Sequence, residues 1–318
     1  MTGKIANLNL NLARKGRHKF LLALSSILLL VFASAAHGAF FDTAGQTARP
    51  MGMGEVFLAQ KGQGYFYNPA GLSSLEGRSL GISYGMLYPD VASDLMRSEL
   101  SYVSPLGSGG LALGASVFSV DGASDMVFSG AYGRQFSDKL AIGANVKILR
   151  WATEGQSDAY NGGSDDDLSK VAFSLDLSAS YGLGELFGLA DFTTGLYVRD
   201  AIMPNISESG DDGGKLPIEV GIGLMGQRGD VTGEVDVAFV NGETIFRGGV
   251  ETGITGSNLK VRGGLVYGSD FDEEAERTDF NVGLGYLFNS LVFDYAYNLP
   301  LVLKDSGGRH FVSFGVSF

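Results

Sequence analysis

From residue 79 to residue 318 the chain alternates apolar with polar or small residues, segment after segment, and this period of two decides what it can fold into. Val171, Phe173, Leu175, Leu177, Ala179 and Tyr181 share one parity, and Ala172, Ser174, Asp176, Ser178 and Ser180 share the other. Leu140, Ile142, Ala144, Val146 and Ile148 stand in the same way against Ala141, Gly143, Asn145 and Lys147. Each segment therefore has one greasy face and one polar or tiny face. Strands are predicted at 79–88, 95–105, 110–120, 125–136, 139–151, 169–181, 190–200, 216–226, 230–240, 243–253, 257–268, 278–288, 290–298 and 310–318. The repeat averages about 17 residues, which leaves room for the roughly 9–11 residues that cross a bilayer at a tilt. Fourteen is an even number, as closure of an antiparallel barrel requires.

Loop lengths add an independent argument, because bacterial barrels have short turns at one end and longer loops at the other. Counted from the first strand, the even-numbered connections are mostly short: Ser137 to Asp138, Gln227 to Gly229, Ile254 to Gly256, and Asn289. The odd-numbered ones include 152–168, 201–215, 269–277 and 299–309. Connection 182–189 is longer than its class predicts and 241–242 is shorter. Tyr84, Tyr88, Tyr102, Tyr132, Tyr181, Tyr267, Tyr286, Tyr295 and Tyr297 fall mostly on the apolar parity near strand ends, as an interfacial girdle requires. The chain finishes with Val312, Phe314, Val316 and Phe318 on one parity, similar to the C-terminal signal read by the barrel-insertion machinery of the outer membrane.

Composition removes other classes. The 48 glycines, about 15% of the chain against a usual 7%, come with 21 Phe and 13 Tyr, which excludes low-complexity disorder. The absence of Cys excludes disulfide scaffolds and thiol chemistry. Arg14, Lys15, Arg17 and Lys19 precede an apolar run from Phe20 to Ala36, the pattern of an export signal over residues 1–38, with cleavage after Gly38 or after Ala36. Its removal leaves 18 basic against 35 acidic residues, a net charge of −17 that disfavours nucleic acid as a partner. No later apolar run approaches the roughly 20 residues of a spanning helix, so a mature chain in a membrane must cross it as strands.

Residues 39–78 break the alternation. They carry Arg49-Pro50-Met51-Gly52-Met53-Gly54 and, after a spacer, Tyr65-Phe66-Tyr67-Asn68-Pro69-Ala70-Gly71-Leu72. These two motifs, with Phe293-Asp294-Tyr295-Ala296-Tyr297, His310 and Ser313 near the end, resemble the FadL-like outer-membrane superfamily, in particular its smaller PorV/PorQ-like members. The resemblance implies an all-β, 14-stranded antiparallel transmembrane barrel over 79–318 with residues 39–78 as a hatch in the lumen. It implies passive transport of hydrophobic small molecules such as fatty acids or, in the smaller branch, binding of a protein partner in secretion or surface attachment. The transporter branch has longer chains and larger loops. Tyr65, Phe66, Tyr67, Leu72 and Leu75 would flank the ligand path or pack the hatch in place, and Asn68, Pro69, Ala70 and Gly71 would form a fixed turn against the wall. Outer-membrane lipid and lipopolysaccharide would surround the barrel.

With the polar parity inward, the lumen receives Arg97, Lys147, Arg199, Arg247, Lys260 and Arg262 against Glu99, Asp176, Glu219, Glu234, Asp236, Glu251 and Asp294. This near balance fits mutually paired charges around a plug better than an open ion-selective pore. After cleavage at Gly38 His310 is the one remaining histidine, and it lies on the opposite parity to Ser313, so no hydrolytic constellation is predicted. The Gly-x-Gly pairs lack a third glycine at dinucleotide spacing, so no cofactor is expected. Acidic clusters at 165–167, 211–212 and 270–276 fall in predicted loops, and the last lacks the glycine and glutamate of a calcium loop, since Ala275 and Asn281 stand there; a loop cation bridging lipopolysaccharide stays open beside a solvated surface.

Overall fold

The computed structural model describes residues 45–59, 64–153, 168–186, 188–207, 214–269 and 277–318. The expected export signal and the three acidic clusters lie outside them. Fourteen strands run in chain order: β1 (Ser79–Leu87), β2 (Met96–Leu106), β3 (Gly109–Val120), β4 (Ala123–Gln135), β5 (Leu140–Thr153), β6 (Leu168–Leu186), β7 (Leu189–Arg199), β8 (Glu219–Arg228), β9 (Val231–Val240), β10 (Glu243–Gly253), β11 (Leu259–Ser269), β12 (Arg277–Phe288), β13 (Leu291–Pro300) and β14 (Arg309–Ser317). Each pairs antiparallel with its neighbours in sequence, and β1 closes on β14 from Ser79↔Ser317 to Leu87↔Arg309. Closure removes the unpaired edges that an open sheet would expose.

The alternation sets which face is which. Ile82, Phe173 and Val312 are 56%, 61% and 53% exposed on the outside, where hydrocarbon would cover them. Every lumen charge expected from parity is buried except Lys260, whose side chain is 46% exposed. No helix among the described residues is long and apolar enough to cross a membrane.

Two irregular connections have physical explanations. Strand β6 continues past Tyr181 to Leu186, through register shifts at Gly182 and Gly184, and Gly184 adopts φ 80°. The loop expected at 182–189 is therefore mostly a bulged strand, since glycine supplies the left-handed conformation that a bulge needs. At the short connection, Asn241 and Gly242 take φ 50° and 83°, as a two-residue hairpin turn requires.

Candidate functional site

The described residues before β1, 45–59 and 64–75, pack against the inner wall of the barrel. Helix α1 (Ala48–Gly52) packs against β11–β14, and a 3-10 turn (Pro69–Ser74), entered through Pro69, packs against β3–β6. The wall meets this segment with glycine. A Cβ at Gly249 or Gly264 would run into the Met53 main chain, one at Gly283 into Gly52, and one at Gly195 into the Leu58 carbonyl. On the other side Gly133 and Gly143 take the Pro69 and Ala70 backbone, and Gly110 takes Leu72 and Leu75. The inward glycines of the sequence thus let main chain lie directly on main chain.

Charge fastens the first half of the segment. Arg49 makes a bidentate pair with Glu251, at 2.9 and 3.2 Å, and Arg262 bridges Glu251 to Asp294, at 2.6 Å to each. Glu55, held at φ 62°, receives Arg277 and Arg309 at 2.8 Å each and faces Arg247 at 3.9 Å. Asp279 completes this cluster by accepting from Arg277 and Arg309. Burial by itself would raise the Glu55 carboxyl, but Arg277, then Arg309 and Arg247, overcome it and hold it at about 2. A second wall network joins Lys147 to Asp176 and Asp200, and Arg199 to Glu219, which also accepts from Tyr197.

The second half is held by apolar packing and neutral hydrogen bonds. Tyr65, Phe66, Tyr67 and Leu72 join Phe57 and Leu58 in one buried cluster with Val103, Ala112, Val127, Leu149 and Leu216, and Leu75, Trp151 and Ile206 pack at its edge. Tyr65 stacks on Phe66 with centroids 4.7 Å apart and points its hydroxyl toward Gly114 and Ser129. Tyr67 stacks on Phe57 and lies under the Arg199 guanidinium, 5.2 Å from the ring. Burial pushes the phenols of Tyr65 and Tyr67 up, so both stay neutral. Ala70 donates its N–H to Ser178 at 2.7 Å, and Gly71 donates to the Asn68 carbonyl at 3.0 Å. The Asn68 amide donates to the Leu58 carbonyl, at 2.7 Å, and to Ser180. It therefore ties the turn to a stretch ten residues earlier rather than to the turn's own backbone.

The residues singled out in the sequence separate into two places. Tyr65, Phe66, Tyr67, Asn68, Pro69, Ala70, Gly71 and Leu72 are buried in the lumen, with Leu75 partly buried. Val312 and Phe318, 53% and 68% exposed, lie on the outer surface with Val316, and Phe314 meets Phe293 edge-on with centroids 4.9 Å apart. His310 bonds Tyr295 at 2.9 Å, away from Ser313, which accepts the Ala48 N–H at 2.9 Å. Sequence reasoning missed Glu55, Arg277, Asp279 and Arg309. A carboxylate within the Met53-Gly54-Glu55-Val56 run was the available signal, since a buried charge there needs basic partners on the wall.

No family model and no curated protein matches the chain. Solved structures match its fold. The Ralstonia pickettii toluene transporter TbuX is 14% identical with a TM-score of 0.64, over 87% of this chain and 100% of that one. A deletion mutant of the monoaromatic hydrocarbon channel TodX is 15% identical with a TM-score of 0.67, over 87% and 100%. A Pseudomonas aeruginosa FadL homologue is 12% identical with a TM-score of 0.57, over 86% and 95%. The fold is thus that of the FadL-type 14-stranded outer-membrane barrels.

Proposed function

We propose that the barrel is a passive conduit for hydrophobic small molecules across the outer membrane, with residues 39–78 as its hatch. The observation that carries this reading is the apolar half of the lumen, where Tyr65, Phe66, Tyr67, Leu72 and Leu75 meet Trp151, Ile206 and Leu216. A hydrophobic molecule gains there by leaving water, and an ion or sugar does not. The toluene transporter and the hydrocarbon channel that share the fold support the same substrate class. In this reading Asn68 to Gly71 fix the turn that shapes the passage, and Val312, Phe314, Val316 and Phe318 guide insertion.

The experiment is uptake of a hydrophobic probe into liposomes carrying the barrel, before and after replacement of Asn68-Pro69-Ala70 by Gly-Gly-Gly. Uptake above empty liposomes, altered by the replacement, is expected. Uptake no faster than in empty liposomes would end the conduit reading. The alternative is a PorV/PorQ-like barrel that binds a secreted protein. The buried ion pairs that fix the first half of the hatch favour it, because a fixed plug suits a barrel that works at its rim. Copurification with cargo and no probe uptake would select that alternative.

A further inference from the structure

Where β1 and β14 begin and end, a half-open cleft of about 150 Å³ separates the inner wall from the interior segment. Its wall side is made small by Gly81, Ser83, Ser101, Ser313 and Gly315, and its other side carries Tyr65 and Phe66. Three charged residues reach it: Arg49, Glu99 and Asp294. Arg49 is committed to Glu251 and Asp294 to Arg262. Glu99 differs. It is 6% exposed, the Gly45 N–H meets its carboxylate, and its Oε2 has no hydrogen-bond partner among the described residues. A buried acceptor left unmet costs free energy that a bound donor would recover.

The surroundings decide the donor's chemistry. Arg97, two residues along β2, offsets only part of the cost of burying Glu99, and the other two charged residues are already paired. An ammonium group would lose its hydration at a cleft walled by glycine, serine and aromatic rings. An uncharged hydroxyl brings a donor to Oε2 and no net charge. The stacked Tyr65–Phe66 pair offers a flat apolar face for the rest of the molecule. The volume limits that remainder to about one ring, since an apolar cavity of about 150 Å³ accepts benzene.

We propose that this cleft binds a small single-ring alcohol or phenol, with its hydroxyl donating to Glu99 Oε2 and its ring against Tyr65 and Phe66. The inference rests on the conduit reading and narrows its substrate from hydrophobic molecules in general to those with one neutral hydroxyl. Phenol and toluene are matched probes, because the one carries a hydroxyl where the other carries a methyl group.

The test measures their binding to the full-length barrel in detergent by equilibrium dialysis. Phenol should bind about tenfold tighter than toluene, the typical worth of one hydrogen bond to a buried acceptor. Glu99→Leu should bring the two within about twofold, and Glu99→Gln, which keeps an acceptor, should retain most of the preference. Heat-dependent gel mobility checks that each variant closes. If Glu99→Leu does not close, the wild-type ratio and Glu99→Gln decide. Equal binding in the wild type, or a preference that survives Glu99→Leu, overturns the proposal. Liposome flux separates it from the reading beneath: phenol bound preferentially but not transported sinks the conduit and leaves the cleft, whereas equal binding with transport of both sinks the cleft alone.

Discussion

The two halves of the interior segment sit on the same kind of seat and are fastened by different forces. Residues 45–59 lie on Gly249, Gly264 and Gly283 and are held by Arg49 and Glu55, whose partners come from β10, β12 and β14. Residues 64–75 lie on Gly110, Gly133 and Gly143 and are held by Leu72, the stacked aromatics and hydrogen bonds through Asn68 and Ala70. The wall's glycines make close approach possible in both places. They do not decide how strongly the segment stays there. One half depends on protonation, and the other depends on apolar area and shape.

The largest expected effect comes from filling a seat. Gly264→Val places a branched side chain where Gly54 and the Met53 carbonyl lie, so the segment must leave the wall or the barrel must fail to close. Protease cleavage within 45–59 should appear in any closed barrel that forms. Gly233→Ala is the control, because nothing lies within 4 Å of the added carbon, and it should behave as wild type.

Next comes the ion cluster. Glu55→Ala leaves Arg247 with less compensation and leaves Arg277 and Arg309 sharing Asp279 alone, a change of about 3–5 kcal/mol for a buried pair that loses one partner. The same group predicts a pH dependence with a definite sign. Its carboxyl is held at about 2 against an ordinary 4.5, so the attachment is complete above about pH 4.5 and is lost as pH falls toward 2. Proteolysis of 45–59 should rise as pH falls from 5 toward 2, and Glu55→Ala should flatten that part of the curve. A wild-type segment whose proteolysis does not change between pH 5 and pH 2 would contradict this account.

Smaller effects belong to the other half. Leu72→Ala should loosen residues 64–75 by about 2–4 kcal/mol, the usual range for a buried leucine, equally at pH 5 and pH 8. Asn68→Ala should cost about 1–3 kcal/mol by leaving the buried Leu58 carbonyl without that donor, and should loosen both halves because the bond joins them. Cleavage mapped separately in the two halves distinguishes these outcomes from the Glu55 series.

The barrel was largely legible in the sequence because each strand writes its own inside and outside. Val171 to Tyr181 needs no knowledge of its neighbours to declare two faces, and all fourteen predicted segments are strands in the barrel. Gly182 and Gly184 were read as loop because glycine signals both a turn and a bulge, and pairing with β7 selects the bulge. The ion cluster was illegible for a different reason. Glu55 meets Arg277 and Arg309 across separations of 222 and 254 residues, and no local pattern records such a meeting.

The sequence by itself determined the properties that a residue and its near neighbours settle between them: the strand period, the sign of each face, the even strand count and the glycines on the inward parity. Only the tertiary structure decided which groups meet across the lumen: Met53 on Gly249, Ala70 on Ser178, Asn68 on Leu58, Glu55 among three arginines, and Glu99 with an unmet oxygen beside a cleft. The physical reason is closure. Pairing β1 with β14 fixes the position of every inward side chain relative to every other, and until the ring closes no inward residue has a defined partner on the far wall.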